Sequence, residues 1–136
     1  MPLFTWSNDY SVGVKSLDSQ HINLFDMMNE LEAAMKKGQG EVVTAPLLRK
    51  LLDYTARHFA GEERMLEVSG YPDFDKHRAL HVALTRKVGD FVEKLENGGG
   101  SAINVELLFF LCDWLKTHIK QTDQQYSPWL QKSGVL

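Results

Sequence analysis

The chain contains five histidines, His21, His58, His77, His81 and His118, and each falls on an apolar stripe with the three-and-four spacing of a buried helical face. His21 leads Leu24, Met28, Leu31 and Met35, and His118 ends the series Leu108, Leu111, Leu115. Between them, Leu47, Leu51, Tyr54, His58, Glu62 and Met65 share one face, and Phe74, His77, His81, Leu84, Val88, Phe91 and Leu95 share another. A buried imidazole or carboxylate needs a partner, and a bare buried glutamate is costly. One such histidine alone is most often a hydrogen-bonded core residue. Five of them with a glutamate cannot easily satisfy one another through protein hydrogen bonds, whereas one shared cation site satisfies them all. His58 with Glu62, and His77 with His81, are i,i+4 pairs whose side chains stand one turn apart and can reach a common centre.

Counting Asp123 beyond His118 gives seven plausible ligands, too many for one tetrahedral zinc and suited to two ions that accept six ligands. Imidazole with carboxylate favours iron or manganese over calcium or magnesium. The carboxylate-rich di-iron bundles use Glu-x-x-His pairs, and no glutamate here has a histidine three residues later. His77-Arg78-Ala79-Leu80-His81 lacks the general-base glutamate of a zinc protease.

The elements that must position these groups are marked by punctuation. Residues 1–17 mix Phe4, Trp6 and Tyr10 with polar residues and show no helical period, so they read as a non-helical arm packed on the rest. Four helices follow, at about 18–37, 44–69, 73–96 and 101–125. Asp18 is placed to cap the first, which stops at Gly38-Gln39-Gly40. The second begins near Thr44-Ala45-Pro46, with proline in its first turn, and ends at Gly70. Pro72-Asp73 opens the third, Asn97-Gly98-Gly99-Gly100 closes it, and Ser101 caps a fourth that ends before Pro128. Connections this short join antiparallel neighbours, so the expected fold is all-α: an up-down-up-down antiparallel four-helix bundle with an N-terminal arm, one domain over 1–136.

Composition narrows the function classes. A length of 136 residues suits one core without disulfides. The formal charge of -3 offers no basic excess to attract nucleic acid or an anionic membrane, so neither is expected as a partner. The N-terminal stretch lacks a basic-then-apolar leader and no apolar run is long enough to span a bilayer, which points to a soluble cytoplasmic protein. Cys112, the only cysteine, follows the apolar run Leu107 to Leu111 and reads as core filler in a reducing compartment.

An ordered set of short motifs resembles the hemerythrin family over nearly the whole chain. The set comprises Trp6 and Tyr10-Ser-Val-Gly-Val14, Leu17-Asp-Ser-Gln-His21, His58-Phe-Ala-Gly-Glu62-Glu63, Gly70-Tyr-Pro-Asp-Phe, His77-Arg-Ala-Leu-His81, and Trp114-Leu-Lys-Thr-His118-Ile with Asp123. Each piece is weak and the ordered set is specific; the wording of the arm resembles the bacterial branch. The up-down-up-down topology of myohemerythrin is itself a standard example of bundle architecture. The resemblance implies two irons per chain, one bound by His77, His81 and His118 and the other by His21 and His58, with Glu62, Asp123 and an oxo or hydroxo group bridging them. Six ligands then surround the first iron and five the second, and dioxygen takes the open position. The implied function is reversible dioxygen binding for storage, delivery or sensing, not enzymatic turnover; the alternative is a di-iron oxidoreductase that reduces dioxygen or peroxide. A sensory domain of a longer receptor would read the same way.

Helical position supplies four candidates for the walls of the dioxygen pocket: Leu24 one turn beyond His21, Phe59 beside His58, and Trp114 and Ile119 flanking His118. All are apolar, which favours a carrier, since such walls hold no proton donor and slow the entry of water. Glu63 lies about 100° round the helix from Glu62 and reads as a solvated charge, as do Asp113 and Lys116. One spacing does not fit a regular helix. Asp123 follows His118 by five residues and is turned roughly 140° away from it, so a bridging Asp123 requires an extra residue in the turn, as in a π-bulge.

Overall fold

The computed structural model describes residues 5–38, 41–96 and 100–134, with side chains described outside 41–45, 92 and 94–105. The stripes become the inward faces of four antiparallel helical rods. Helix α1 spans Lys15–Lys36, α2 Glu41–Val68, α3 Phe74–Glu96 and α4 Gly100–Thr117; a π-helical turn, His118–Asp123, carries α4 into α5, Gln124–Lys132. α1 packs on α2, α2 on α3 and α3 on α4, and α4 closes on α1. No strand occurs among the described residues.

Two apolar clusters hold the bundle on either side of the histidines. The larger joins Leu24, Phe25, Met28, Leu51, Leu108, Leu111, Leu115 and their neighbours; the smaller joins Val12, Val14, Leu17, Leu66, Tyr126 and Leu130. Cys112 lies in the larger, with its thiol 3.6 Å from Met28 Sδ. Met35, Tyr54, Met65, Val88 and Phe91 are half-buried at the margins of their stripes, and the side chain of Leu95 lies outside the described residues.

The arm packs as expected, through Trp6 and Tyr10 against Phe25 with ring centroids 5.8 and 5.0 Å apart, and it contains a 3-10 turn at Asn8–Tyr10. Helix α1 nevertheless begins at Lys15, three residues before the predicted cap. Asp18 does not cap it. Its carboxylate accepts from Ser11 Oγ at 2.6 Å and Val12 N at 2.8 Å, so it ties the arm to the first turn. Gly13 permits the bend into the helix: its φ is +73°, and a Cβ there would stand 1.9 Å from Gln131 Nε2.

Both proline boundaries are corrected. Helix α2 starts at Glu41, which leaves Pro46 inside it, just past the first turn, where only one intrahelical bond is lost. The fourth rod runs through Pro128 to Lys132 instead of stopping near Gln125. Tertiary contacts outweigh the roughly 3 kcal/mol that an interior proline costs. Tyr126 and Leu130 are fully buried, Ser127 Oγ donates to Val12 O at 2.5 Å, Trp129 Nε1 donates to Ser69 O at 3.2 Å, and Gln124 Nε2 donates to Asp9 O. Gly70 does end α2 as read: φ is +71°, and Tyr71 N bonds back to Leu66 O at 3.0 Å. Helix α3 begins one residue after Pro72-Asp73, at Phe74. The breakers Gln39, Gly40 and Asn97 to Gly99, the side chain of Ser101 and residue Phe4 lie outside the described residues.

Candidate metal centre

Each rod delivers at least one polar group to the middle of the bundle: α1 His21, α2 His58 and Glu62, α3 His77 and His81, and the fourth rod His118 and Asp123. All seven are buried, with His21, Glu62 and Asp123 at 0% exposure. Their ligand atoms fall into two groups, each lying within 4.8 Å of one another: His77, His81 and His118 with Glu62 and Asp123, and His21 and His58 with the same two carboxylates.

The π turn makes the second carboxylate possible. It occupies His118–Asp123, the stretch in which five-residue spacing demanded an extra residue, and it returns Asp123 to the inward side. Asp123 Oδ1 lies 3.0 Å from His118 Nε2 and 3.1 Å from His77 Nε2, while Oδ2 lies 3.3 Å from His21 Nε2. Glu62 spans the groups similarly. Its Oε1 is 2.7 Å from His77 Nε2 and 3.3 Å from His81 Nε2, and its Oε2 is 3.3 Å from His58 Nε2 and 3.7 Å from His21 Nε2.

The donor set fits a pair of cations better than it fits itself. His21 Nε2 and His58 Nε2 stand 3.0 Å apart, as do His81 Nε2 and His118 Nε2, so lone pairs are aimed at one another across gaps that a hydrogen can occupy from one side only. Both oxygens of Asp123 are buried without a hydrogen-bond partner among the described residues. Two metal ions would accept these lone pairs and neutralise the carboxylates.

Burial alone would lower the His21 and His77 pKa, but the Asp123 and Glu62 carboxylates beside them outweigh it and raise both to about 9. Burial alone would likewise raise Glu62 and Asp123. Surrounding imidazoles overcome it and hold both carboxyls well below the usual carboxylate range.

Outer contacts turn the histidine rings so that Nε2 points inward. His58 Nδ1 donates to Gln20 Oε1 at 2.6 Å, and His81 Nδ1 to Glu63 Oε2 at 3.2 Å. Glu63 is therefore no solvated charge; its place one residue after Glu62 turns it toward α3, where it also meets Arg78 Nε at 3.6 Å. Asp113 and Lys116 are exposed, in keeping with a solvated reading. Sequence reasoning missed Gln20 and Tyr126, whose hydroxyl donates to Glu62 Oε2 at 2.9 Å. Gln20 had a signal, adjacency to His21; Tyr126 had none, because it lies beyond the predicted helix end.

Of the four residues read as pocket walls, Leu24, Phe59 and Ile119 are buried in the larger cluster and Trp114 packs half-buried against it. Phe59 stacks on His81 with centroids 3.8 Å apart and planes 5° from parallel, and its ring is 5.8 Å from that of His58. Trp114 stacks on His118 at 4.3 Å and lines a surface depression on the outer side of that ring.

Comparison with known proteins agrees with this geometry. The hemerythrin HHE cation binding domain matches residues 12–130. The chain is 34% identical to the bacteriohemerythrin of Methylococcus capsulatus, over 96% of this chain and 98% of that one, and 33% identical to that of Stenotrophomonas maltophilia, over 93% and 81%. A crystal structure of wild-type hemerythrin superposes with a TM-score of 0.87 at 33% identity, covering 94% of this chain and 98% of the other. The chain belongs to the hemerythrin family, built on the HHE cation binding domain.

Proposed function

We propose that the protein binds dioxygen reversibly at a non-haem di-iron centre, with His77, His81 and His118 holding one iron, His21 and His58 the other, and Glu62 and Asp123 shared by both. The observation that carries this reading is the sharing itself: each buried carboxylate presents one oxygen to each histidine group. A single-metal site needs no such division. When bound, the irons would supply two electrons and, on the two-histidine side, an open coordination position.

The chain's own residues make that position suited to a gas. Leu24, Phe59 and Ile119 are buried apolar neighbours of the ligands and exclude water, and Trp114 covers one face of the His118 ring. None of the four carries a group able to protonate a reduced oxygen species. This favours binding over turnover, with any oxidase activity weak. Gln20 and Glu63 hold the His58 and His81 rings in the ligating tautomer. The single hemerythrin-like domain would store, deliver or sense dioxygen in a reducing cytoplasm, where the buried thiol of Cys112 stays reduced.

The test is spectroscopic. Protein loaded with ferrous iron, mixed with dioxygen under stopped flow and then stripped of the gas, should return to its colourless starting form. Irreversible oxidation in the first cycle would contradict reversible binding and support the oxidoreductase reading.

A further inference from the structure

Glu62 and Asp123 divide their oxygens alike between the two histidine groups, yet only one of them is held from outside. Asp123 meets only imidazoles of the cluster, and no group from outside the ligand set donates to it among the described residues. Glu62 Oε2, the oxygen facing His21 and His58, accepts one from the hydroxyl of Tyr126 at 2.9 Å. Tyr126 is fully buried, its ring 5.5 Å from that of His77 and edge-on to Tyr71 at 6.4 Å, so the hydroxyl is delivered by a side chain with little freedom. It stands three residues after Asp123, on the same side of the rod. One helical turn therefore supplies one carboxylate and the donor that orients the other.

Resting on the two-metal reading above, we propose that Tyr126 is a positioning residue that makes Glu62 an unequal bridge and holds its Oε2 for the metal in the two-histidine group. That group has fewer imidazoles and depends more on its carboxylate oxygens. The three-histidine group meets Oε1, which lies 2.7 Å from His77 Nε2 and does not accept from the phenol. Losing the Tyr126 hydroxyl frees Oε2 to rotate and weakens one metal selectively.

Cobalt(II) is a suitable probe, because its visible bands report ligand number without any dioxygen chemistry. Wild type and Tyr126→Phe would be loaded with cobalt(II) and stripped with EDTA, with each release phase assigned by His21→Ala and His118→Ala. The two-histidine phase of Tyr126→Phe should accelerate about tenfold or more, as loss of a hydrogen bond to a charged group implies, while the three-histidine phase stays within about twofold. Tyr71→Phe, which keeps the neighbouring ring, should change neither phase. Equal acceleration of both phases, or none, overturns the proposal. Should Tyr126→Phe not fold, the infrared C–O stretch of isotope-labelled tyrosine in the wild type decides: a Tyr126 band at the position of a phenol donating to a carboxylate supports the proposal, and its absence overturns it. Wild type that takes up fewer than two cobalt ions overturns the two-metal reading itself, a result distinct from any in which two are bound and Tyr126 has no effect.

Discussion

Around His77, His81 and His118 the rings are backed by flat aromatic surfaces, Phe59 on His81 and Trp114 on His118, and an anionic carboxylate, Glu63, meets His81 Nδ1. Around His21 and His58 the outer partner is a neutral amide, Gln20, and His21 Nδ1 is buried with no partner among the described residues. A carboxylate behind an imidazole makes it the stronger donor, and stacked rings fix its plane. The group with more imidazoles is thus also the one whose imidazoles are better supported. On the two-metal reading proposed above, two sites that share both carboxylates would in this way be unequal, one better furnished to hold its metal and the other poorer in ligands.

Removing the metals from both groups should have the largest effect. At metal concentrations far above the dissociation constant, binding to the native state alone adds about 4 kcal/mol or more, so stripping the protein should lower Tm by about 10 °C or more. An unchanged melting curve would show that the histidines satisfy one another without metal. The metal-free protein should then depend on pH in a defined sense. The raised His21 and His77 contribute stability that is fully present below their unfolded pKa of about 6.5 and is lost as pH rises through about 9. The lowered Glu62 and Asp123 contribute stability that is present above about pH 4 and is lost as pH falls toward their depressed native values. Denaturant titrations of the stripped protein should therefore show a plateau between about pH 4 and 6.5 and a decline from about 6.5 to 9, and a stability that stays level across that upper range would contradict the assignment.

Next in size are substitutions that separate ligand from wall. His118→Ala should empty the three-histidine group, halving the bound iron. Ile119→Ala, one residue on, should keep both irons, cost about 2–4 kcal/mol of stability as a buried truncation, and speed loss of the reduced form in air through a wetter pocket. Equal metal loss in the two variants would show that Ile119 is no pocket wall.

These variants bear on what was legible beforehand. His21, His58, Glu62, His77, His81 and His118 announced themselves because each interrupts an apolar stripe, a signal that depends only on helical periodicity. Asp123 was legible as a misfit, a residue useful only if the helix locally changes its winding, and the π turn is where that misfit is resolved. Boundaries were harder. Proline read as a stop at Pro128 and as a start at Pro46, and both are interior, because the burial of Tyr126 and Leu130 and the contacts of the arm with α5 are tertiary and leave no local trace. Tyr126 and the Glu63 contact stayed hidden for the same reason: which helix a side chain meets is decided by packing between rods, not by its position on its own.

Glu63→Gln should narrow the difference between the groups by a smaller amount. Replacing the anion behind His81 with a neutral amide should weaken metal affinity in the three-histidine group by about tenfold, as outer-contact changes do, and leave the other group unaffected. Chelator competition that finds both groups equally weakened would mean that Glu63 serves the fold alone. The smallest effect expected is at Cys112. Burial raises its thiol to about 12, so a thiol reagent at pH 8 should label the folded protein far more slowly than the unfolded one, with or without metal.

The shared centre itself is tested most directly by anomalous diffraction at the iron edge from crystals of the iron-loaded protein. Two peaks should appear, one among His77, His81 and His118 and one beside His21 and His58, each within ligand distance of both Glu62 and Asp123. A single peak, or two peaks with the Asp123 carboxylate turned away from either, would contradict the account.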